Sequence, residues 1–142
     1  GRSLMAGGLK ITLRAGERIF INGGVLRVDR KVSLELMNDV VFLLEQHVMK
    51  PEDTTTPLRQ LYFMIQMMLM DPALYMKART MARESVSYLS ASIRDPKILD
   101  GLREAGDMLD GDRPFDALKK VRTLLPLEVA ANASEERSKE VA

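Results

Sequence analysis

Apolar and polar residues alternate along the first third of the chain. Residues 9–14 read Leu-Lys-Ile-Thr-Leu-Arg, and this alternation is typical of a strand with one buried and one solvated face. Four more short β-rich runs follow, and the turn signal Asn22-Gly23 separates the second from the third. The runs occupy residues 18–21, 25–28, 32–36 and 40–44. The pattern predicts an N-terminal antiparallel sheet of about five short strands, arranged as a meander or a small barrel.

The spacing of apolar residues becomes helical after Lys50. A capping residue followed by proline marks the first turn of a helix. Three such starts are present, Thr56-Pro57, Asp71-Pro72 and Asp95-Pro96, and Arg113-Pro114 opens a last helix with proline alone. We expect three to four α-helices after the sheet, over residues 57–70, 72–92 and 96–110 and from 114 to just before Pro126. The predicted fold class is α+β, with the sheet packed with or beside the helices.

These patterns divide the chain into four parts. Residues 9–50 are predicted to form a β-rich subdomain and residues 51–126 a helical one. Residues 127–142 are rich in Ala, Ser and Glu, and we expect a frayed or disordered tail there. Met5 is the expected natural start, so residues 1–8 are interpreted as a non-native extension followed by a flexible N-terminus.

Composition narrows the class of protein. The chain has 142 residues, of which 46% are hydrophobic and 29% charged, as in an ordinary single globular domain. It has no cysteine, which excludes disulfides and fits a reducing compartment. No apolar run approaches the roughly 18 residues of a membrane span, and no secretory signal is recognisable. We expect a cytoplasmic protein that does not contact a membrane.

Positive charge is concentrated on the β-rich segment. The net charge is +1, yet residues 1–31 carry seven Lys or Arg against two acidic residues, a net of +5. Outward-facing cations can bind the phosphates of single-stranded RNA, and an exposed aromatic ring among them can stack on a base. The candidate RNA-binding residues are Lys10, Thr12, Arg14, Arg18, Phe20, Arg27, Arg30 and Lys31. The alternative is a solvated face whose arginines pair with Glu17, Asp29 and Glu35.

A second feature is a methionine-rich run in the first predicted helix. Met-rich surfaces accommodate several partners, whereas a helix that is apolar nearly all round usually lies in a core or an oligomer interface. The methionine-rich run therefore lies in the core, in a peptide-binding groove or in an oligomer interface, and the sequence leaves these three alternatives open. We also expect a homo-oligomer. The candidate interface residues are Tyr62, Met64, Met67, Met68 and Tyr75.

Catalytic and metal-binding patterns are not recognisable. His47 is the only histidine, and no His, Cys or acidic set surrounds it at ligand spacing. The glycine pairs form neither a phosphate loop nor a dinucleotide fingerprint. We expect a protein that is not an enzyme and needs no cofactor and no metal.

Three segments carry a resemblance to a known family. They are LKITLRAGERIFING at residues 9–23, QHVM with PED at residues 46–53, and TTPLRQLYF at residues 55–63. The chain resembles the FlbT family of flagellum biosynthesis repressors over residues 9–125. The resemblance implies a bacterial regulator that acts on the 5′ leader of flagellin mRNA and couples flagellin synthesis to flagellar assembly. It does not imply the direction of regulation, because some members act as activators.

The first predicted hairpin is also similar to that of CsrA, the carbon storage regulator, over about ten residues. Residues 12–17 read TLRAGE, and Thr12 and Arg14 match the CsrA strand that contacts messenger leaders. CsrA has basic residues at the positions of Leu13 and of the Leu43-Leu44 pair. The geometry of its contacts with RNA is therefore not transferred to this chain.

The leading interpretation is a cytoplasmic regulator that binds the flagellin mRNA leader and alters its translation or stability. The alternative is a protein-interaction module that binds flagellin or its secretion chaperone, with little direct RNA binding. If the protein binds the mRNA leader, substitution of the arginines abolishes leader binding. If it is a protein-interaction module, changes at Met67, Met68 or Tyr75 abolish partner binding instead.

Overall fold

The computed structural model describes residues 8–141, with side chains up to residue 140. The non-native extension expected at the N-terminus lies outside these residues. The described chain contains five antiparallel strands followed by four α-helices, which confirms the α+β prediction. The strands are β1 (Leu9–Leu13), β2 (Arg18–Ile21), β3 (Gly24–Arg27), β4 (Val32–Leu36) and β5 (Phe42–Leu44). The helices are α1 (Pro57–Met70), α2 (Tyr75–Ser92), α3 (Pro96–Asp110) and α4 (Pro114–Val141), with short 3-10 turns at Glu45–His47, Pro51–Asp53 and Pro72–Leu74.

The strands form two small sheets rather than the single sheet that was predicted as a meander or a small barrel. β1 pairs with β4, and β2 lies between β3 and β5 in the other sheet. The predicted β2–β3 hairpin is present, with Asn22 and Gly23 at φ 47° and 86° in its turn. This hairpin is inserted between β1 and β4. The inserted arrangement lets the apolar faces of the two sheets bury each other, since Ile11 and Leu13 share a cluster with Ile19 and Phe42.

The middle of strand β2 is buried on both of its faces, whereas Arg18 at its start is exposed. Ile19 faces the opposite sheet, and Phe20 packs with Leu43 into the core between the helices. Phe20 is 7% exposed, so the expectation of an exposed aromatic ring on the sheet surface is wrong. The physical reason is that the helices cover the part of the second sheet face that carries Phe20 and Leu43, which one-sided alternation along a strand cannot reveal.

The predicted helix starts are formed by the capping side chains. Thr56 Oγ1 accepts from the backbone N–H of Arg59 at 3.2 Å, and Asp95 Oδ1 accepts from that of Lys97 at 2.9 Å. Asp71 caps the 3-10 turn that leads into α2. Local capping chemistry therefore fixes where α1, α3 and the turn before α2 begin.

Helix α4 continues past Pro126, so the prediction that it ends there is wrong. Proline removes one helical N–H, which costs the bond to the carbonyl of Arg122. Leu127 and Ala131 pack against the helical core beyond it, and Glu128 is buried. This packing stabilises the helix where local propensity predicts an end. The segment predicted to be frayed or disordered is helical as far as residue 141.

Candidate nucleic-acid interface

Two turns lie side by side at one end of the sheets. The β1–β2 turn spans residues 14–17 and the β3–β4 connection spans residues 28–31. The N–H of Gly16 donates to the carbonyl of Val28 at 2.7 Å, and the N–H of Val28 donates to the carbonyl of Glu17 at 3.2 Å. Strand pairing aligns the neighbouring strand ends at the same place. This end gathers five of the predicted cations, and we call it the basic end: Arg14, Arg18, Arg27, Arg30 and Lys31.

Two of these five cations have ion-pair partners. Arg18 pairs with Glu45, and its guanidinium lies 5.8 Å from the centroid of the Phe20 ring. Arg30 lies 3.5 Å from Asp29 in a pair that is almost fully exposed, where such pairs contribute little.

Three cations of the basic end are free for a ligand. Arg14, Arg27 and Lys31 are exposed, and no carboxylate of residues 8–140 forms an ion pair with them. Glu17, which was the alternative partner for an arginine, accepts from the backbone N–H of Arg14 at 2.8 Å. With Glu17, Asp29 and Glu45 counted against the five cations, the basic end has a net charge of +2.

Lys10 and Thr12 lie apart from the basic end. They are on the outer face of β1, where strand pairing sets them opposite Glu35 and Ser33 of β4. Arg18 and Arg27 are cross-strand neighbours on the other sheet, on its helix-facing side. The predicted basic face is therefore not one sheet surface, and the cations converge only where the two turns meet.

The predicted interface residues separate into buried and partly exposed groups. Tyr62 and Met68 are each 3% exposed and belong to the helical core. Met64 and Met67 line an apolar groove of about 260 Å³ between α1 and α2. Tyr75 donates to the carboxylate of Asp112; burial and this bond raise the pKa of Tyr75 to about 12.

A pocket beside the basic end was not anticipated. His47, Asp53, Arg59, Tyr62 and Arg122 line it, and we call it the arginine pocket. The Nε and Nη2 atoms of Arg122 donate to Tyr62 Oη at 3.3 and 3.2 Å. Burial, followed by the charge of Arg122, lowers the pKa of His47. No local pattern could have revealed this site, because Arg122 lies 60 positions after Tyr62.

Residues 8–141 show neither a cluster of metal-ion ligands nor a membrane-spanning helix. This part of the chain contains no group of three His, Cys, Asp or Glu placed to hold a metal ion. None of its helices is long and apolar enough to cross a membrane.

The family model and the similar proteins identify the same family. A family model described as "Flagellar protein FlbT" matches residues 9–131. A Brucella ovis protein named "Probable flagellum biosynthesis repressor protein FlbT" is 52% identical over 120 residues, which cover 84% of this chain and 79% of that protein. Proteins of the same name from Brucella suis biovar 1 and Brucella anthropi match to the same extent. No solved structure matches the chain. The family match extends past Pro126 to the part of α4 that packs on the core.

Proposed function

The chain belongs to the FlbT family of flagellar proteins, and on this basis we propose that it regulates flagellum biosynthesis after transcription by binding the 5′ leader of flagellin mRNA. Its similar relatives are named as repressors of flagellum biosynthesis. Binding at the leader changes access of the ribosome or the lifetime of the transcript. The protein then acts in the cytoplasm, as a regulator and without catalysis.

The observation that carries the proposal is the group of three unpaired cations at the basic end. Arg14, Arg27 and Lys31 are exposed on two adjacent turns and on the strand end next to them. Cations in this setting neutralise phosphates of a flexible single strand, and each guanidinium offers a planar fork to a phosphate. Because Phe20 is buried, the contacts are with phosphate rather than by stacking of a base on that ring.

The test compares two triple variants with the same loss of charge. The first carries Arg14→Gln, Arg27→Gln and Lys31→Gln. The control carries Lys97→Gln, Arg103→Gln and Lys139→Gln, which are exposed positions on α3 and α4. We expect the first variant to bind a labelled flagellin leader about 10-fold to 100-fold more weakly at physiological salt, and the control to stay within about twofold.

Fluorescence anisotropy measures binding, and circular dichroism confirms the fold of each variant. Absence of binding by the wild-type protein would overturn the proposed function. Equal losses in the two variants would show a general charge effect and overturn the assignment to the basic end.

A second candidate function is favoured by the groove between α1 and α2. It is lined by apolar side chains and bordered by Lys77, and Met81 in it is 45% exposed. An apolar groove between helices accepts the apolar face of an amphipathic helix, so the candidate partner is a helix of flagellin or of its secretion chaperone. The groove therefore supports binding of a protein partner as a second candidate function in addition to RNA binding.

Purified flagellin and purified chaperone test this candidate directly. Met67→Glu or Met81→Glu places a charge in the groove and is expected to abolish capture of the partner, with leader binding unchanged. Thr80→Glu, exposed on α2 outside the groove, is the matched control. Capture by the groove variants at the level of the control would exclude the groove as the binding site.

A further inference from the structure

The arginine pocket is assembled from three separate parts of the chain. Helix α1 supplies Arg59 and Tyr62, helix α4 supplies Arg122, and the segment before α1 supplies residues 46–49 and Asp53. The pocket has a volume of about 220 Å³ and is open to solvent. It is therefore large enough and accessible enough for a small polar group of a larger ligand.

The two arginines of the pocket have no carboxylate partner among residues 8–140. Arg122 donates to the hydroxyl of Tyr62 and lies 5.8 Å from the centroid of its ring. Arg59 donates through Nη1 to the backbone carbonyl of Asp53 at 3.3 Å. Both side chains are partly buried, so part of their hydration is lost without an opposite charge in exchange. Each guanidinium keeps N–H donors available for an anion.

Residues 47–49 of the pocket lining are held to α1 by hydrogen bonds. The hydroxyl of Tyr62 donates to the carbonyl of His47. The buried amide of Gln66 accepts from the N–H of Met49 at 2.6 Å and donates to its carbonyl at 2.9 Å. Residues 47–49 are therefore fixed to α1 at both ends of the segment, and the site is formed before any ligand arrives.

The charge balance of the pocket favours an anion. Arg59 and Arg122 are cationic, and Asp53 supplies the only carboxylate among the lining residues, on an exposed side chain. His47 is neutral at pH 7 because burial and the nearby Arg122 lower its pKa. The lining residues therefore carry a net charge of +1 at neutral pH, held in a partly desolvated place where charge acts more strongly.

The arginine pocket adjoins the basic end. Arg18 of the basic end pairs with Glu45, and Glu45 belongs to the same 3-10 turn as His47. Only this 3-10 turn separates the basic end from the pocket, so an RNA strand that lies on the basic end can reach the pocket. We propose that the arginine pocket binds one phosphate group of the RNA strand that lies on the basic end, with Arg59 and Arg122 as its ligands. This inference rests on the proposed function.

The first test removes each ligand in the full-length protein. Arg59→Gln and Arg122→Gln are each expected to weaken binding of the flagellin leader about 5-fold to 10-fold, as expected for loss of one charge-assisted contact. Asp53→Asn should tighten binding, because it removes the competing carboxylate. Lys50→Gln, exposed beside the pocket but outside its lining, is the matched control and should change binding less than about twofold.

Arg122→Lys covers the case in which Arg122→Gln does not fold. Lysine keeps the charge and loses the planar fork, so an intermediate loss is expected. If the wild type binds the leader and the variants of Arg59 and Arg122 bind no more weakly than Lys50→Gln, the pocket is not part of the RNA site.

The second test uses His47, which gives a single histidine signal in proton NMR. A phosphate bound beside Arg122 offsets its positive charge, so saturation with the leader should raise the pKa of His47 in the wild type. The rise should disappear in Arg59→Gln. The groups that face His47 across the pocket are Arg59, Tyr62, Arg122 and Asp53, and Asp53→Asn should leave the rise intact.

Inorganic phosphate separates the two possible sources of the ligand. If neither RNA nor inorganic phosphate changes the pKa of His47, the pocket does not bind phosphate. If wild-type protein fails to bind RNA while inorganic phosphate still raises this pKa, the proposed function and the RNA source both fail, and the site is one for a free phosphate.

Discussion

At the residue scale, Glu128 links the last helix to the first. Its carboxylate accepts from the hydroxyl of Thr56 at 2.5 Å and from the backbone N–H of Leu58 at 3.0 Å. The N-terminus of a helix has unpaired N–H groups and a partial positive charge, and a carboxylate there satisfies both. A residue from α4 therefore completes the cap that Thr56 begins.

Replacement of Glu128 by alanine is expected to lower the free energy of unfolding by about 1–3 kcal/mol, because buried donors lose their partner. Urea denaturation followed by circular dichroism measures this difference. Glu136→Ala, an exposed position on the same helix, should change stability by less than about 0.5 kcal/mol. Equal stability of the two variants would contradict the capping role.

His47 gives the fold a pH dependence of known sign. Its pKa is lowered in the folded state from the ordinary value of 6.5, so the unfolded chain binds the proton more readily. Stability is therefore complete above about pH 6.5 and falls as the pH drops toward the lowered value. The melting temperature of the wild type should fall more between pH 7 and pH 5 than that of His47→Asn. Parallel curves for the two proteins would show that His47 makes no such contribution.

At the element scale, α4 consists of a packed part and an exposed part. Leu127, Glu128 and Ala131 contact the helical core or α1, whereas every side chain of residues 132–140 is exposed. The stabilising contacts of this helix therefore extend about one turn beyond Pro126 and no further.

Two truncations test this division of α4. A chain that ends at Asn132 should keep its melting temperature within about 2 °C, since no buried side chain is lost. A chain that ends at Pro126 should melt at least about 5 °C lower, because the cap on α1 and the apolar contacts of Leu127 disappear. Differential scanning calorimetry compares the two. A chain ending at Pro126 that melts within about 2 °C of the wild type would show that Leu127, Glu128 and Ala131 do not stabilise the fold.

At the scale of the whole molecule, the basic end is a product of tertiary packing. Two separate turns meet through the hydrogen bonds between Gly16, Glu17 and Val28. The helices then bury the sheet face that carries Phe20 and Leu43. Positive charge is left concentrated at one end of the fold, next to the arginine pocket.

Salt dependence of RNA binding tests this arrangement as a whole. For a single strand, the slope of log K against log salt changes by about 0.7 for each phosphate neutralised. The variant with glutamine at positions 14, 27 and 31 should therefore show a slope about 2 units shallower than that of the wild type. The control triple variant on α3 and α4 should keep the wild-type slope. An unchanged slope in the first variant would mean that these three cations do not contact phosphates.

The sequence by itself determined the local elements of this protein. Alternation placed β1 to within one residue and β4 at its observed bounds, and a β-rich run placed β2. The Asn22-Gly23 turn located the hairpin, and the capping residues located the starts of α1 and α3. These features depend on neighbours within a few positions, so a single sequence contains them. The concentration of cations in the first 31 residues was visible in the same way.

Only the tertiary structure decided which strands pair, which residues are covered and which charges meet. Phe20 and Glu128 are buried by segments far away along the chain, and Arg122 reaches Tyr62 across 60 positions. The energy of such contacts depends on packing between elements, which local periodicity does not encode. The sequence determines which charges the basic end carries. Its shape depends on the tertiary fold, as does the arginine pocket beside it.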